Sequence, residues 1–172
     1  MPNASNPIRL AIVGVGQVLL GDDGAGPAVI ELLRQLVAPS PNLLLVDAGH
    51  APENVFGPVI RFAPTQVIYI DAIRSNGKPG AIRWLRASDV EETGGSTHML
   101  SLGIMADYIQ ANTSAEVVVA GIQPNSMRFS EGLSPEVQRA VHELAEELAG
   151  YWRKATTACS AITAGGVSVV SN

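Results

Sequence analysis

The sequence predicts an α/β fold: a three-layer sandwich in which a mostly parallel, twisted sheet of about five strands, with one antiparallel edge strand, carries helices on both faces. Short apolar runs recur along the chain, and segments long enough for a helical crossover separate them. The composition agrees with this prediction, because 47% of the 172 residues are hydrophobic and only 16% are charged, as in a well-buried sheet.

The first strand and the first helix are predicted within residues 8–37. An apolar run from Ile8 to Val13 meets glycines, a short loop and two adjacent carboxylates, Asp22 and Asp23. A helical pattern follows from Pro27 to Val37, with apolar residues at the spacing of one helix face, namely Val29, Leu32, Leu33 and Leu36. Strand, glycine-rich turn and helix form the first half of a βαβ unit.

Four further strands are predicted at residues 43–46, 67–70, 82–86 and 117–119. The first two of them stop at an acidic residue, Asp47 and Asp71 respectively. The segment 82–86 carries two arginines and is predicted to be the exposed edge strand, where charge discourages pairing with other molecules.

The last helix is predicted to begin at Ser134-Pro135-Glu136, which supplies an N-cap, a proline at the first position and an acid in the first turn. From Ala155 onward, charged side chains are absent and Ala, Thr, Ser and Gly dominate. We therefore expect a single α/β domain over residues 1–154 and a disordered tail over residues 155–172.

Composition and charge argue against several classes of protein. The net charge of −5, without any run of Lys or Arg, disfavours a nucleic-acid partner. The single cysteine, Cys159, forms no internal disulfide and suggests a reducing compartment. We see neither a signal peptide nor an apolar run long enough to span a bilayer. A cytoplasmic, soluble protein without a membrane partner is expected, and a monomer.

The glycines after the first strand raise the possibility of a dinucleotide site. That fingerprint requires a third small residue after Gly14-x-Gly16, and this chain has Leu19 there. The loop also carries two carboxylates, Asp22 and Asp23, which would repel a phosphate. Nucleotide binding is therefore the weaker alternative.

Acidic and imidazole side chains are predicted to converge at one edge of the sheet. Asp23 follows the first strand, Asp47 ends the second, Asp71 ends the third, and His98 opens a later helix. In an open parallel sheet, ligands bind outside the carboxyl ends of the strands. Crowded carboxylates would force one to hold a proton unless a cation is present. A divalent metal held by two aspartates and the histidine resolves this conflict.

Each of these residues also has a purely structural interpretation. One of Asp22 and Asp23 is expected to cap the first helix, leaving the other to turn back over the strand ends. Asp47 alone is equally consistent with a carboxylate that binds loop N–H groups. His98 alone would more often be a hydrogen-bonding residue than a ligand.

Five segments occur in a characteristic order along the chain: Gly14-x-Gly16 with Asp22-Asp23-Gly24, Asp47-Ala-Gly-His-Ala-Pro-Glu-Asn54, Ile70-Asp71-Ala72, Thr97-His98 and Gly121-Ile-Gln-Pro124. On these segments the chain resembles, from about Leu10 to Trp152, the hydrogenase maturation endopeptidases, most closely the branch that serves formate-hydrogenlyase-type (hydrogenase 3) enzymes.

The resemblance implies a protease that removes the C-terminal extension of a nickel–iron hydrogenase large-subunit precursor once nickel is in place. It assigns metal binding to Asp23, Asp71 and His98, with the nickel carried by the substrate. Whether the free protein binds other divalent metals stays open. We expect these three residues to recognise the loaded nickel, and Asp47 to orient or deprotonate the attacking water.

Two positions depart from the family pattern, and one further function stays open. Gln17 replaces an asparagine that is usual after the second glycine, and His50 replaces a small hydroxyl residue. A non-catalytic, nickel-binding maturation chaperone that uses the same edge of the sheet is the main alternative to a protease.

Overall fold

The computed structural model describes residues 8–86 and 97–164, with side chains described for residues 8–86 and 103–157. The strands are β1 (Leu10–Val15), β2 (Leu43–Gly49), β3 (Gln66–Ala72), β4 (Ile82–Arg86) and β5 (Glu116–Ile122). The α-helices are α1 (Ala25–Leu36), α2 (Phe56–Phe62), α3 (Thr97–Asn112) and α4 (Pro135–Ala164), and short 3-10 turns occupy Gly21–Gly24 and Pro52–Val55.

The five strands form one sheet in the order β2-β1-β3-β5-β4. Strands β1, β2, β3 and β5 run parallel, and the edge strand β4 runs antiparallel to β5. The chain leaves β1 toward β2 on one side and later returns to β3 on the other side. The strand order therefore reverses between β1 and β3, which is where ligands bind in open α/β sheets.

Two hydrophobic layers cover the two faces of the sheet. Because side chains alternate along a strand, Leu10 and Ile12 of β1 pack beneath α1 and α4, whereas Ala11 and Val13 pack on the opposite face with residues of α2 and α3. Burial on both faces explains why the central strands are almost continuously apolar. The predicted three-layer architecture, including the antiparallel edge strand, is confirmed.

Helix α1 approaches β1 and β3 so closely that only glycine fits at the contact. A Cβ added to Gly26 would lie 2.3 Å from the Val15 carbonyl oxygen and 2.5 Å from the Ile70 carbonyl oxygen. A Cβ added to Gly14 would lie 2.4 Å from the Gly26 carbonyl oxygen. These two glycines set the start of α1 directly over the point where the strand order reverses.

The prediction of a disordered tail from residue 155 is wrong for residues 155–164, which continue helix α4. Alanine recurs there at positions 155, 158, 161 and 164, and it has the highest intrinsic helix propensity. The absence of charged residues was therefore compatible with a helix. Residues 165–172 lie outside the described part of the chain. None of the described helices has the length and apolar character that a membrane span requires.

We expect Gly26→Ala to destabilise the fold by about 2–3 kcal/mol, because the new methyl group meets backbone atoms that cannot move independently. Gly150→Ala is the matched control. Apart from its chain neighbours and the nearby backbone of its own helix, α4, no atom lies within 4 Å of a Cβ at Gly150, so this variant should gain up to about 1 kcal/mol of helix propensity. Urea unfolding measures both. Equal stabilities of the two variants would contradict the packing described here.

Candidate active site

Two buried carboxylates lie at the carboxyl ends of β1 and β3. Asp71 belongs to β3 and is completely buried, and Asp23 lies in the 3-10 turn after β1 and is only 2% exposed. The Asp23 Oδ2 atom accepts a hydrogen bond from the Gln17 backbone N–H at 2.7 Å. The chain therefore brings two acids that are 48 positions apart in sequence to the reversal point of the sheet.

Three oxygens of this pair lack a hydrogen-bond partner within the described residues: Asp23 Oδ1, Asp71 Oδ1 and Asp71 Oδ2. Burying a polar group without a partner is costly, and native structures rarely leave one in that state without a functional reason. Carboxylate oxygens that converge without donors are suited to a divalent cation. The donor set of these two residues thus fits a metal ion.

The pKa of Asp71 is raised to about 8, first by burial and then by the nearby negative charge of Asp23, with a smaller opposing effect of the Ala72 backbone N–H. Without a cation, Asp71 is therefore largely protonated at neutral pH. The pair then carries about one negative charge instead of two. A bound cation would displace that proton and leave both carboxylates ionised.

Gly16, directly after β1, allows the turn that contains Asp23 to fold over the strand end. Gly16 has a φ of +137°, and a Cβ there would lie 1.8 Å from the Asp23 carbonyl oxygen. Gly14 and Gly16 are thus used for close packing around a carboxylate. The buried acids at this edge of the sheet do not favour a phosphate, so the nucleotide alternative gains no support.

Asp22, the neighbour of Asp23, holds two loops together and does not cap its own helix. Its carboxylate accepts backbone N–H bonds from Asn125 (2.8 Å), Ser126 (2.9 Å) and Ser134 (2.6 Å), and a fourth bond from the Ser134 hydroxyl (2.9 Å). Gly24 is the N-cap residue of α1, without a side-chain cap. The expectation that one aspartate caps the first helix is therefore wrong. Ser134 does precede α4 as predicted, but its hydroxyl donates to Asp22.

Asp47 lies at the same edge of the sheet as Asp71 but is directed to the opposite face. Its neighbours Val46 and Ala48 pack in the layer with α2 and α3, so alternation turns Asp47 toward the α1 side. It is exposed, and its Oδ1 atom accepts a hydrogen bond from the Gly49 N–H at 2.9 Å. Asp47 thus lies at the edge of the sheet where it was expected, but on the opposite face from Asp71.

His98 is the second residue of α3, on the sheet face toward which Asp71 points. Its side chain lies outside the described residues, so its assignment as a ligand stays a prediction. Among the side chains that are described, no three His, Cys, Asp or Glu residues form a group able to hold a metal. His50 is exposed, and Gln17 contributes its backbone N–H to Asp23.

Two residues near the acid pair were not singled out as site residues from the sequence. The Gln123 side-chain oxygen accepts hydrogen bonds from the Ser75 N–H (2.6 Å) and hydroxyl (2.8 Å), which fixes the loop after β3. Tyr69 is one pleat before Asp71 on the same face, and its buried hydroxyl has no partner among the described residues. Gln123 belongs to the Gly-Ile-Gln-Pro segment that carries part of the family resemblance, and this segment was the sequence signal that could have identified it. No comparable sequence signal pointed to the Tyr69 hydroxyl.

The raised pKa of Asp71 predicts a specific pH dependence of stability in the metal-free protein. The folded state holds a proton on Asp71 that the unfolded chain releases near pH 4. The free energy of unfolding of the wild-type protein therefore decreases as pH rises from about 4 to about 8. Asp71→Asn removes this contribution. The stability of the variant relative to wild type should increase across this window, with a slope on the order of 1 kcal/mol per pH unit.

Urea unfolding at pH 5 and pH 7.5, with a chelator present, measures this difference. A difference between variant and wild type that is the same at both pH values would show that Asp71 does not hold its proton in the folded protein.

Comparison with known proteins identifies the family. The family model for hydrogenase maturation proteases (HycI) matches residues 27–150. The hydrogenase 3 maturation protease of Escherichia coli strain K12 is 32% identical over 138 residues, which cover 80% of this chain and 86% of that protein.

Solved structures agree with the sequence comparison. The HycI maturation protease from Thermococcus kodakarensis superposes with a TM-score of 0.76 at 34% identity, covering 85% of this chain and 93% of that one. The endopeptidase HycI from Escherichia coli gives a TM-score of 0.71 at 29% identity, covering 84% and 91%. The chain therefore belongs to the hydrogenase maturation protease family and is a peptidase.

Proposed function

We propose that this peptidase removes the C-terminal extension of a nickel–iron hydrogenase large-subunit precursor after nickel has been inserted. The observation that carries the proposal is that three buried oxygens of Asp23 and Asp71, at the reversal point of the sheet, have no hydrogen-bond partner in the described part of the chain. The proteins that this chain resembles are named for hydrogenase maturation, which supports the choice of substrate.

The nickel ion belongs to the substrate in this proposal and serves as a recognition element. Asp23 and Asp71 would complete the coordination of an ion that the precursor already holds, with His98 as the third ligand. A precursor without nickel leaves Asp71 protonated and offers nothing to displace that proton. Nickel surrounded by soft thiolate donors is a weak Lewis acid, so it is not expected to supply the hydrolysis by itself.

Exposed apolar residues beside the acid pair support a protein substrate. Val18, Leu19 and Leu20 are 55%, 49% and 36% exposed, and they lie between Gln17, which bonds to Asp23, and Asp22. The backbone around Leu20 pairs with Ser130, next to Phe129, which is 79% exposed. We define these four residues as the apolar lip. Contiguous exposed apolar surface of this kind favours docking of a polypeptide.

Docking would place the scissile bond beside an activated water, and positioning would provide much of the rate. We assign to Asp47 the role of orienting or deprotonating this water. Its Oδ1 atom is held by the Gly49 N–H, which orients the carboxylate and leaves Oδ2 available. Its exposure makes it accessible to a docked chain, although it faces the other side of the sheet from Asp71. Asp47 would therefore act on a part of the precursor that reaches across the carboxyl ends of β1 and β2.

The experiment that tests the function uses purified large-subunit precursor, with and without nickel, and follows its shortening by mass spectrometry. Wild-type protein should cleave the loaded precursor at one site and leave the nickel-free precursor intact. Asp71→Asn should lose binding of the loaded precursor, because the asparagine amide cannot provide an anionic ligand. Binding of loaded precursor by wild type without any shortening would instead support the maturation chaperone.

Asp47→Asn should still bind the loaded precursor but cleave it about 100-fold or more slowly, the usual loss when a general base is removed. Glu53→Gln is the matched control, since it removes another exposed carboxylate six residues later and should cleave at the wild-type rate. Cleavage by Asp47→Asn at the full rate would show that Asp47 does not act on the water.

A further inference from the structure

We propose that a second site on this protein binds a carboxylate of its peptide substrate. A cavity of about 310 Å³ lies at the carboxyl end of β3, outside the acid pair. Its polar wall consists of Arg74, Ser75, Asn76 and Arg83, and Ile73 and Leu85 form its apolar part. We call it the arginine pocket. The inference rests on the proposed function only for the identity of the substrate.

Strand register places this pocket beside Asp71. Gly121 of β5 pairs with Asp71 on one side and with Arg83 of β4 on the other. With a strand spacing of about 4.8 Å, the Cα atoms of Asp71 and Arg83 are about 10 Å apart. Ile73 and Leu85 both pack in the layer with α2 and α3, so Arg83 and Asp71 point to the same face. Gly121 carries no side chain, and Ile73 packs over it.

The charge of the pocket is unusual for this chain. The protein has a net charge of −5, yet two guanidinium groups line one cavity. The ion pairs found among the described residues belong to Arg34 and Arg153, and neither Arg74 nor Arg83 forms one there. Arg74 makes a weak contact through Nε to the Met127 sulfur at 3.5 Å, and no contact of its terminal nitrogens is found among the described residues.

The chemistry of the lining residues selects an oxyanion. A guanidinium presents parallel N–H donors that match the two oxygens of a carboxylate. The Ser75 loop is fixed by Gln123, since both the Ser75 N–H and its hydroxyl donate to that side chain. The wall of the pocket is thus set before a ligand arrives, which lowers the entropic cost of binding.

The distance to Asp71 indicates how the carboxylate would be connected to the rest of the substrate. About 10 Å corresponds to roughly three residues of extended chain. A peptide anchored at the acid pair would therefore reach the pocket with a carboxylate about three residues away. That group is either an Asp or Glu side chain or a free carboxyl end, and both present the same two oxygens.

A simpler explanation for the exposed arginines on β4 is that their charge protects the sheet edge from pairing with other molecules. Comparison of Arg83 with Arg86 distinguishes this explanation from ligand binding. Arg86 is exposed on the same strand, but its register partner is Val118, which packs on the other face of the sheet. It does not line the arginine pocket. Arg83→Gln and Arg86→Gln therefore remove the same charge from the same strand and differ only in the pocket.

The test is titration of the full-length protein with three acetylated tripeptides, followed by NMR of the arginine Nε–H signals. The probes are tri-alanine with a free carboxyl end, tri-alanine amide, and Ala-Glu-Ala amide. At least one carboxylate probe should shift the signals of Arg83 and Arg74, and tri-alanine amide should not. The probe that binds identifies the source of the carboxylate. Arg83→Gln should weaken binding about tenfold, and Arg86→Gln should not.

Failure of both carboxylate probes to shift these signals in wild type would overturn the proposal. So would equal weakening by Arg83→Gln and Arg86→Gln, which would indicate a general charge effect. With nickel-loaded precursor, Arg83→Gln should raise KM about tenfold and leave kcat unchanged. Peptide binding does not require cleavage, so a wild-type protein that binds the probe but never shortens the precursor would refute the proposed function and leave the pocket intact.

Discussion

The structure depends on holding two buried carboxylates, Asp23 and Asp71, side by side, and three of their four oxygens have no hydrogen-bond partner among the described residues. Removing one ionised carboxylate from water costs several kcal/mol even after relaxation of the surroundings. The protein limits that cost by keeping a proton on Asp71, whose pKa is raised to about 8. A cation bound at this point of the sheet would replace that proton and compensate the charge of both carboxylates.

The rest of the fold keeps this pair in place. Glycines at positions 14, 16 and 26 let the 3-10 turn and the start of α1 pack against backbone atoms of β1 and β3. Asp22 then ties the same turn to the loop before α4 through four hydrogen bonds. Gln123 fixes the loop after β3 in a similar way. The acid pair is consequently supported from both strands, and the two hydrophobic layers of the sheet stabilise those strands.

Much of the fold could be predicted from the sequence, because the apolar runs between turns are strands, and the central ones, β1, β3 and β5, are buried on both faces. The position of Asp71 followed from the rule that such strands end at the ligand-binding edge. The roles of Asp22 and Asp23 could not be separated, since adjacent acids give the same local signal and only tertiary contacts distinguish them. The face of Asp47 depends on register, and the pairing of Arg83 with Gly121 is a long-range contact. The helix over residues 155–164 was missed because an Ala-rich, uncharged segment resembles a tail as much as a helix.

We propose that Asp23 and Asp71 together bind one divalent cation at the reversal point of the sheet. Crystals of the wild-type protein soaked with nickel(II) and measured at the nickel absorption edge show whether they do. One anomalous peak is expected within coordination distance of Asp23 Oδ1 and an Asp71 oxygen, and no such peak is expected at this position in Asp71→Asn crystals. A wild-type crystal that binds nickel at other positions and leaves these oxygens without an ion would contradict it.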